Sequence, residues 1–233
     1  MRWLAAALCV TGCHLVFELE DRPLNPVDAA EPVEPVLVAS YPFDTSPVTD
    51  TTGGHHGMCT NPQCPTLEAG HIGSAARFDG VDDRIEIASA ADFDTAAGFT
   101  VTFWMRLDIL DGCPVNKVYE QAIGDTWQVC VAGQDVAFFS TGGVARSLVP
   151  LATGEWHHVA IRWDAISTTQ YLSIGGRDVA AGLATIVDDD RPIVFGADIN
   201  NGSTEDWMTG LLDEVRIYKG TLTQADIAAL AEN

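Results

Sequence analysis

The residue with the clearest chemical demand is Asp213, inside Gly210-Leu-Leu-Asp-Glu-Val-Arg-Ile-Tyr218. Read as an extended strand, this segment puts Leu211, Val215 and Ile217 on one face together with Asp213, and Leu212, Glu214, Arg216 and Tyr218 on the other. A carboxylate on an apolar face has to be paired, hydrogen-bonded or bound to a cation. A second group, His55, His56, Cys59, Cys64 and His71, has the residue types that hold zinc. In an exported chain those thiols are expected as a disulfide, and Cys-x4-Cys is an unspecific spacing. His157 and His158 are neighbours on a strand, so they face opposite sides and do not form a simple catalytic pair. The acidic runs Asp188-Asp-Asp-Arg-Pro192 and Asp198 to Asp206 could serve a cation or a sugar, but such runs are most often solvated surface. Trp104, Trp127, Trp156, Trp163 and Trp207 include candidates for a sugar-stacking platform, with core packing as the default for each.

The ends of the chain bound where this chemistry operates. Met1 to Gly12 carries one positive charge and a short apolar run, too short to span a bilayer, and reads as a signal peptide over residues 1–12. Val10-Thr-Gly-Cys13 resembles a bacterial lipobox, so Cys13 is the expected lipid site and the expected first residue of the mature chain. Membrane attachment is then through Cys13 alone, and the expected location is the cell envelope, at the outer membrane or cell surface. Residues 13–35 are acidic, contain Pro23, Pro26, Pro32 and Pro35, and read as an extended tether. Residues 36–233 are enough for one domain with a substantial core. A net charge of -21 argues against a nucleic-acid partner.

With Cys9 in the signal and Cys13 lipidated, Cys59, Cys64, Cys113 and Cys130 remain. An even number in an exported domain implies two disulfides. Of three connectivities, the local one is favoured: Cys59 with Cys64, and Cys113 with Cys130.

These residues must be positioned by strands. Phe99 to Leu107 alternates, with Phe99, Val101, Phe103, Met105 and Leu107 on one face and Thr100, Thr102, Trp104 and Arg106 on the other. Further strands are expected at 36–43, 75–80, 81–87, 127–132, 136–140, 144–149, 156–163, 170–174, 177–181 and 193–196, with a long irregular loop over 45–71. The 75–80 and 81–87 segments are expected to be two arms around one turn. One short helix is expected near the end, capped by Thr223 with Asp226 three residues on. Many short strands and a single terminal helix describe an all-β sandwich.

The order of motifs resembles the bacterial laminin-G-like branch of the concanavalin A-like lectin/glucanase superfamily. It is carried by Tyr41-Pro-Phe-Asp44, Gly73-Ser-Ala-Ala-Arg-Phe-Asp-Gly-Val-Asp-Asp83, Phe99-Thr-Val-Thr-Phe-Trp104, Trp156-His-His-Val-Ala160, the Gly175-Gly176 hairpin, and Gly210 to Tyr218 with its Leu-Thr-Gln-Ala-Asp-Ile tail. The resemblance implies a jelly roll of two curved antiparallel sheets with the first and last strands side by side. It also implies a structural calcium where those strands meet, which carries over by position to Asp44 and Asp213. Calcium takes roughly six to eight oxygens, so backbone carbonyls and water would complete the shell. Glycoside hydrolases of this fold carry Glu-x-Asp-x-x-Glu on one strand. No glutamate here has an aspartate two residues later. The expected function is therefore a non-catalytic binding or adhesion module for a glycan or a surface protein, with ligand-binding residues unassigned. The alternatives are a carbohydrate-active enzyme on the same fold and an envelope structural protein.

Overall fold

Phe99, Val101, Phe103, Met105 and Leu107 are all buried, and the strand they define lies inside the larger of two antiparallel sheets. The structure, a computed structural model, describes residues 34–117, 126–200 and 202–233. The signal over 1–12, the lipid site Cys13 and the tether up to residue 33 lie outside the described residues.

In chain order the first strands are β1 (Val36–Tyr41), β2 (Thr66–Ala69), β3 (Ser74–Asp79), β4 (Ile85–Ile87), β5 (Phe99–Leu107), β6 (Asp111–Lys117), β7 (Trp127–Ala132) and β8 (Asp135–Ser140). They are followed by β9 (Gly143–Arg146), β10 (His157–Asp164), β11 (Thr169–Ile174), β12 (Arg177–Leu183), β13 (Ile193–Phe195), β14 (Asp198–Asn200), β15 (Ser203–Glu205), β16 (Thr209–Lys219) and the helix α1 (Gln224–Leu230). The larger sheet runs β12-β11-β10-β5-β16-β3-β2, with β1 also beside β16; the smaller runs β4-β13-β6-β7-β8-β9; β14 and β15 form a separate hairpin. The inner faces of the two sheets share one core that includes Phe78, Phe103, Trp127, Phe138, Phe195 and Leu212. This is the expected all-β sandwich, and its first and last strands pair directly, Tyr41 opposite Val215 and Val36 opposite Lys219. At the end, Thr223 caps α1 in the expected reciprocal arrangement with Asp226.

Three local expectations are corrected. Strands β3 and β4 are not two arms of one hairpin: β3 belongs to the larger sheet and β4 to the smaller, so Gly80 to Arg84 is a crossing between layers. The segment 45–71 is not wholly irregular, because Thr66–Ala69 pairs with β3. No strand is expected over 111–117, yet β6 forms there despite Gly112 and Pro114; the register against β7 shifts between Gly112 and Val115, and that irregularity accommodates the proline. Both disulfides form with the expected connectivity, Cys59–Cys64 and Cys113–Cys130. The second joins neighbouring strands β6 and β7 side by side, with a Cα–Cα distance of 4.1 Å, and closes the chain between them.

Candidate functional site

Strand β16 runs alongside β5 on one side, while its other side is shared: Thr209 to Leu212 pair with β3, and Val215 to Lys219 pair with β1. Asp213 and Glu214 fill the junction between those partners. There the register against β5 shifts and Glu214 takes φ 50, so the strand carries a bulge. An extra residue inverts the alternation beyond it. Leu212, Val215 and Ile217 therefore join the core, whereas Asp213 lies opposite Trp104 and Arg216 opposite Thr102 on the outer face. The expectation that Asp213 shares a face with Val215 and Ile217 is corrected by this bulge.

Asp213 is nonetheless fully buried, because the turn joining β2 to β3 folds over it. Its Oδ2 accepts the backbone N–H of His71 at 2.9 Å and of Ile72 at 3.0 Å, and its Oδ1 accepts that of Glu214 at 2.8 Å. Asp44 holds the other side of the same turn, its Oδ1 accepting from the Ser74 N–H at 3.0 Å. Gly73 sits between them at φ 58, where a Cβ would lie 2.0 Å from Asp44 Oδ1. Burial pushes the Asp213 carboxyl up to about 7, against the downward pull of the three N–H groups and with a further push from the Glu214 charge.

Calcium needs converging oxygens, and what converges on Asp213 are N–H donors. Among the described residues, neither Asp44 nor Asp213 belongs to a group of three ligating side chains. The two acids are brought to one turn, but the donors present do not fit a calcium shell: the buried Asp213 carboxyl meets three backbone N–H groups there.

Beside Asp213 on the outer face lies an aromatic group. His71 stacks on Trp104 with ring centroids 3.7 Å apart, and Trp156 stands edge-on to His71 at 5.8 Å. His158 meets Trp104 at 5.2 Å, and the Arg106 guanidinium lies 5.5 Å from the centre of the Trp156 ring. His158 is 2% exposed, and burial, then the Arg216 and His71 charges, bring its pKa down to about 4. Of the tryptophans, Trp127 and Trp163 are core as expected, while Trp104 and Trp156 are half-buried on this outer face.

An open cleft of about 440 Å³ lies elsewhere, at the β4 edge of the smaller sheet. One wall is the loop around Cys59–Cys64, anchored by reciprocal hydrogen bonds between Met58 and Glu86 (2.7 and 2.9 Å) and by Arg84 N–H to Gln63 O at 3.3 Å. The loop lies directly on the strand: a Cβ on Gly57 would come within 2.4 Å of Ile85 Cγ2. Ile85 and Ile87 point into the core, which turns Arg84 and Glu86 outward into the cleft, joined Nε to Oε1 at 2.7 Å. Thr60, Gln63 and the 68% exposed Met58 complete the polar and apolar lining. Sequence reasoning missed this site, because it draws on a loop and an edge strand that only the tertiary fold brings together. Among the described residues the five of the possible zinc group do not assemble: Cys59 and Cys64 are oxidised, His55 meets Asp92, His56 Nδ1 accepts the Asp50 N–H at 3.0 Å, and His71 is on the opposite sheet's face.

Two acidic groups, Asp79 with Asp82 and Asp83, and Asp198 with Glu205 and Asp206, each gather carboxylate oxygens within 4.8 Å of one another. In the first, Asp79 and Asp83 are occupied by backbone N–H groups of the 79–83 turn.

A family model described as the concanavalin A-like lectin/glucanases superfamily, Laminin_G_3, matches residues 79–228. No match was found among curated proteins. Among solved structures, domain 4 of AbnA, an extracellular GH43 arabinanase from Geobacillus stearothermophilus, solved with arabinotriose, is 20% identical with a TM-score of 0.69, covering 85% of this chain and 100% of that one. The binding domain of Paraclostridial Mosquitocidal Protein 1 is 17% identical with a TM-score of 0.67, covering 84% of this chain and 51% of its own. The ligand-binding domain of botulinum neurotoxin serotype D, solved with N-acetylneuraminic acid, is 15% identical with a TM-score of 0.62, covering 84% and 50%. The chain thus spans about half the length of the two toxin domains. At these identities the likeness is one of fold. The matched segment, the two antiparallel sheets and the pairing of first and last strands agree, and the chain belongs to the concanavalin A-like lectin/glucanases superfamily as a laminin-G-like domain.

Proposed function

We propose that this domain is a non-catalytic carbohydrate-binding module that works outside the cell, anchored to the envelope through a lipid on Cys13. The observation that carries the binding reading is the cleft at β4, about 440 Å³, with Arg84, Glu86, Gln63 and Thr60 around the exposed Met58. Planar guanidinium, carboxylate and amide groups offer paired donors and acceptors to neighbouring sugar hydroxyls, and Met58 offers an apolar contact for the ring's C–H face. The disulfide holds one wall in place before any ligand arrives, which reduces the ordering cost of binding. Relatives of the fold solved with arabinotriose and with N-acetylneuraminic acid support a saccharide as the ligand class.

The non-catalytic reading rests on the single carboxylate in the cleft. Glu86 is already engaged by Arg84 at 2.7 Å, whereas glycoside hydrolysis uses two carboxyl groups roughly 5–10 Å apart. Export is supported by the two disulfides, which persist in oxidising compartments.

The test is calorimetric titration of the full chain with a panel of neutral oligosaccharides, with assay for released reducing ends. The expected result is binding without cleavage, weakened about tenfold or more by Gln63→Ala or Glu86→Ala, the scale of a lost polar contact to a bound sugar. Binding that ignores both substitutions removes the cleft, and release of reducing ends removes the non-catalytic reading.

A further inference from the structure

We propose a second binding surface, independent of the cleft, on the outer face of the larger sheet at Arg106, Trp156 and Trp104, for a saccharide that carries a carboxylate. The chain has 33 acidic residues against 12 Lys and Arg, so its arginines are readily matched. Among the described residues, Arg77, Arg84, Arg162, Arg191 and Arg216 each have a carboxylate within 4.0 Å. Arg106, half-buried in mid-sheet, has no carboxylate partner among those residues and lies instead over the Trp156 ring.

The acids that stand nearest in register are committed elsewhere. Asp108 pairs with Arg77, which flanks Leu211 on the side opposite Arg106, and Asp213 is sealed under the 70–74 turn by three backbone N–H groups. Arg106 thus presents a planar fork of donors, held by its ring contact and matched in shape to a carboxylate. Beside it are the half-buried rings of Trp156, His71 and Trp104, in contact with one another through His71, and the 39% exposed Ile72 follows His71 in the chain. A ligand suited to both features has a carboxylate on a ring whose C–H face can lie against aromatic and aliphatic surface, which is the chemistry of a hexuronic acid. An acidic peptide would satisfy the fork but leave the ring surface unused. Neutral sugars would leave the guanidinium without its charged partner.

The experiment titrates the full chain with trigalacturonate and, separately, with its methyl ester, which keeps the rings and removes the charge. The expected result is that the acid binds at least tenfold more tightly than the ester. Arg106→Ala should abolish that preference, Arg106→Lys should restore only part of it, and both variants should keep the parent's melting temperature within a few degrees. Equal binding of acid and ester, no binding of either, or a preference that survives Arg106→Ala overturns the inference. A preference lost on Arg84→Ala instead places the acid in the cleft and also overturns it, while the neutral-sugar titration judges the cleft separately.

Discussion

Asp213 accepts the backbone N–H of His71 at 2.9 Å across 142 residues of sequence, so the last strand of the domain holds the turn that opens β3. The bond is one of three N–H contacts to a single buried carboxylate, and Asp213→Ala leaves all three donors without it. The expected cost is about 2–3 kcal/mol, concentrated on the buried Glu214 N–H because water can reach the exposed Ile72. Denaturant midpoints of parent and variant measure it. Added calcium should shift the two melting temperatures equally; a rise confined to the parent would contradict the hydrogen-bonded account.

Gly73 tests the other side of the turn. At φ 58, with Asp44 Oδ1 2.0 Å from the position of a Cβ, Gly73→Ala combines backbone strain with a steric clash. A loss of about 1–3 kcal/mol is expected, more than the few tenths of an ordinary surface change. Gly53→Ala, also at positive φ but with open space around it, should cost about 1 kcal/mol and serves as the control.

The buried His158 sets a pH dependence. Its folded pKa is near 4 against an ordinary 6.5, so the unfolded chain takes up a proton over that interval that the folded chain refuses. Its contribution to stability is fully present above pH 6.5 and lost as pH falls towards 4, by up to about 3 kcal/mol. Asp213 acts with the opposite sign: its folded pKa is raised to about 7 from 3.8, so that contribution is full below 3.8 and lost as pH rises through 7. Unfolding free energies of parent and His158→Gln between pH 4 and 8 should converge towards the acid end. Parallel curves would show that His158 does not titrate differently in the folded state.

The two disulfides should separate stability from binding. Loop closure over sequence separations of 5 and 17 predicts losses of about 2 kcal/mol for Cys59→Ser with Cys64→Ser and about 3 kcal/mol for Cys113→Ser with Cys130→Ser. Only the first pair walls the cleft. Saccharide affinity should therefore fall in the less destabilised variant and hold in the more destabilised one, a reversal that calorimetry alongside thermal unfolding would show.

Much of the sandwich is written in alternation. The residues Phe99 to Leu107 give β5 with its faces assigned, because a strand between two neighbours with one face in a core tolerates little else. Alternation failed at Asp213, where Glu214 at φ 50 inserts a residue and reverses the faces; no glycine marks that bulge in the sequence. It failed again at β6, where Gly112 and Pro114 oppose strand propensity and pairing with β7 and β13 overrides them. The cleft left no local trace at all. Arg84 and Glu86 are an ordinary alternating pair until the disulfide loop is laid beside them by contacts between segments over 20 residues apart.

The most direct test of the central claim is a backbone amide shift map of the isotopically labelled full chain, titrated with the tightest neutral oligosaccharide of the panel. The largest changes are expected on residues 57–63 and 84–86, around the cleft, while the amides of 71–74 beside Asp213 stay in place. Shifts centred on another surface, or none at saturating saccharide, would contradict it.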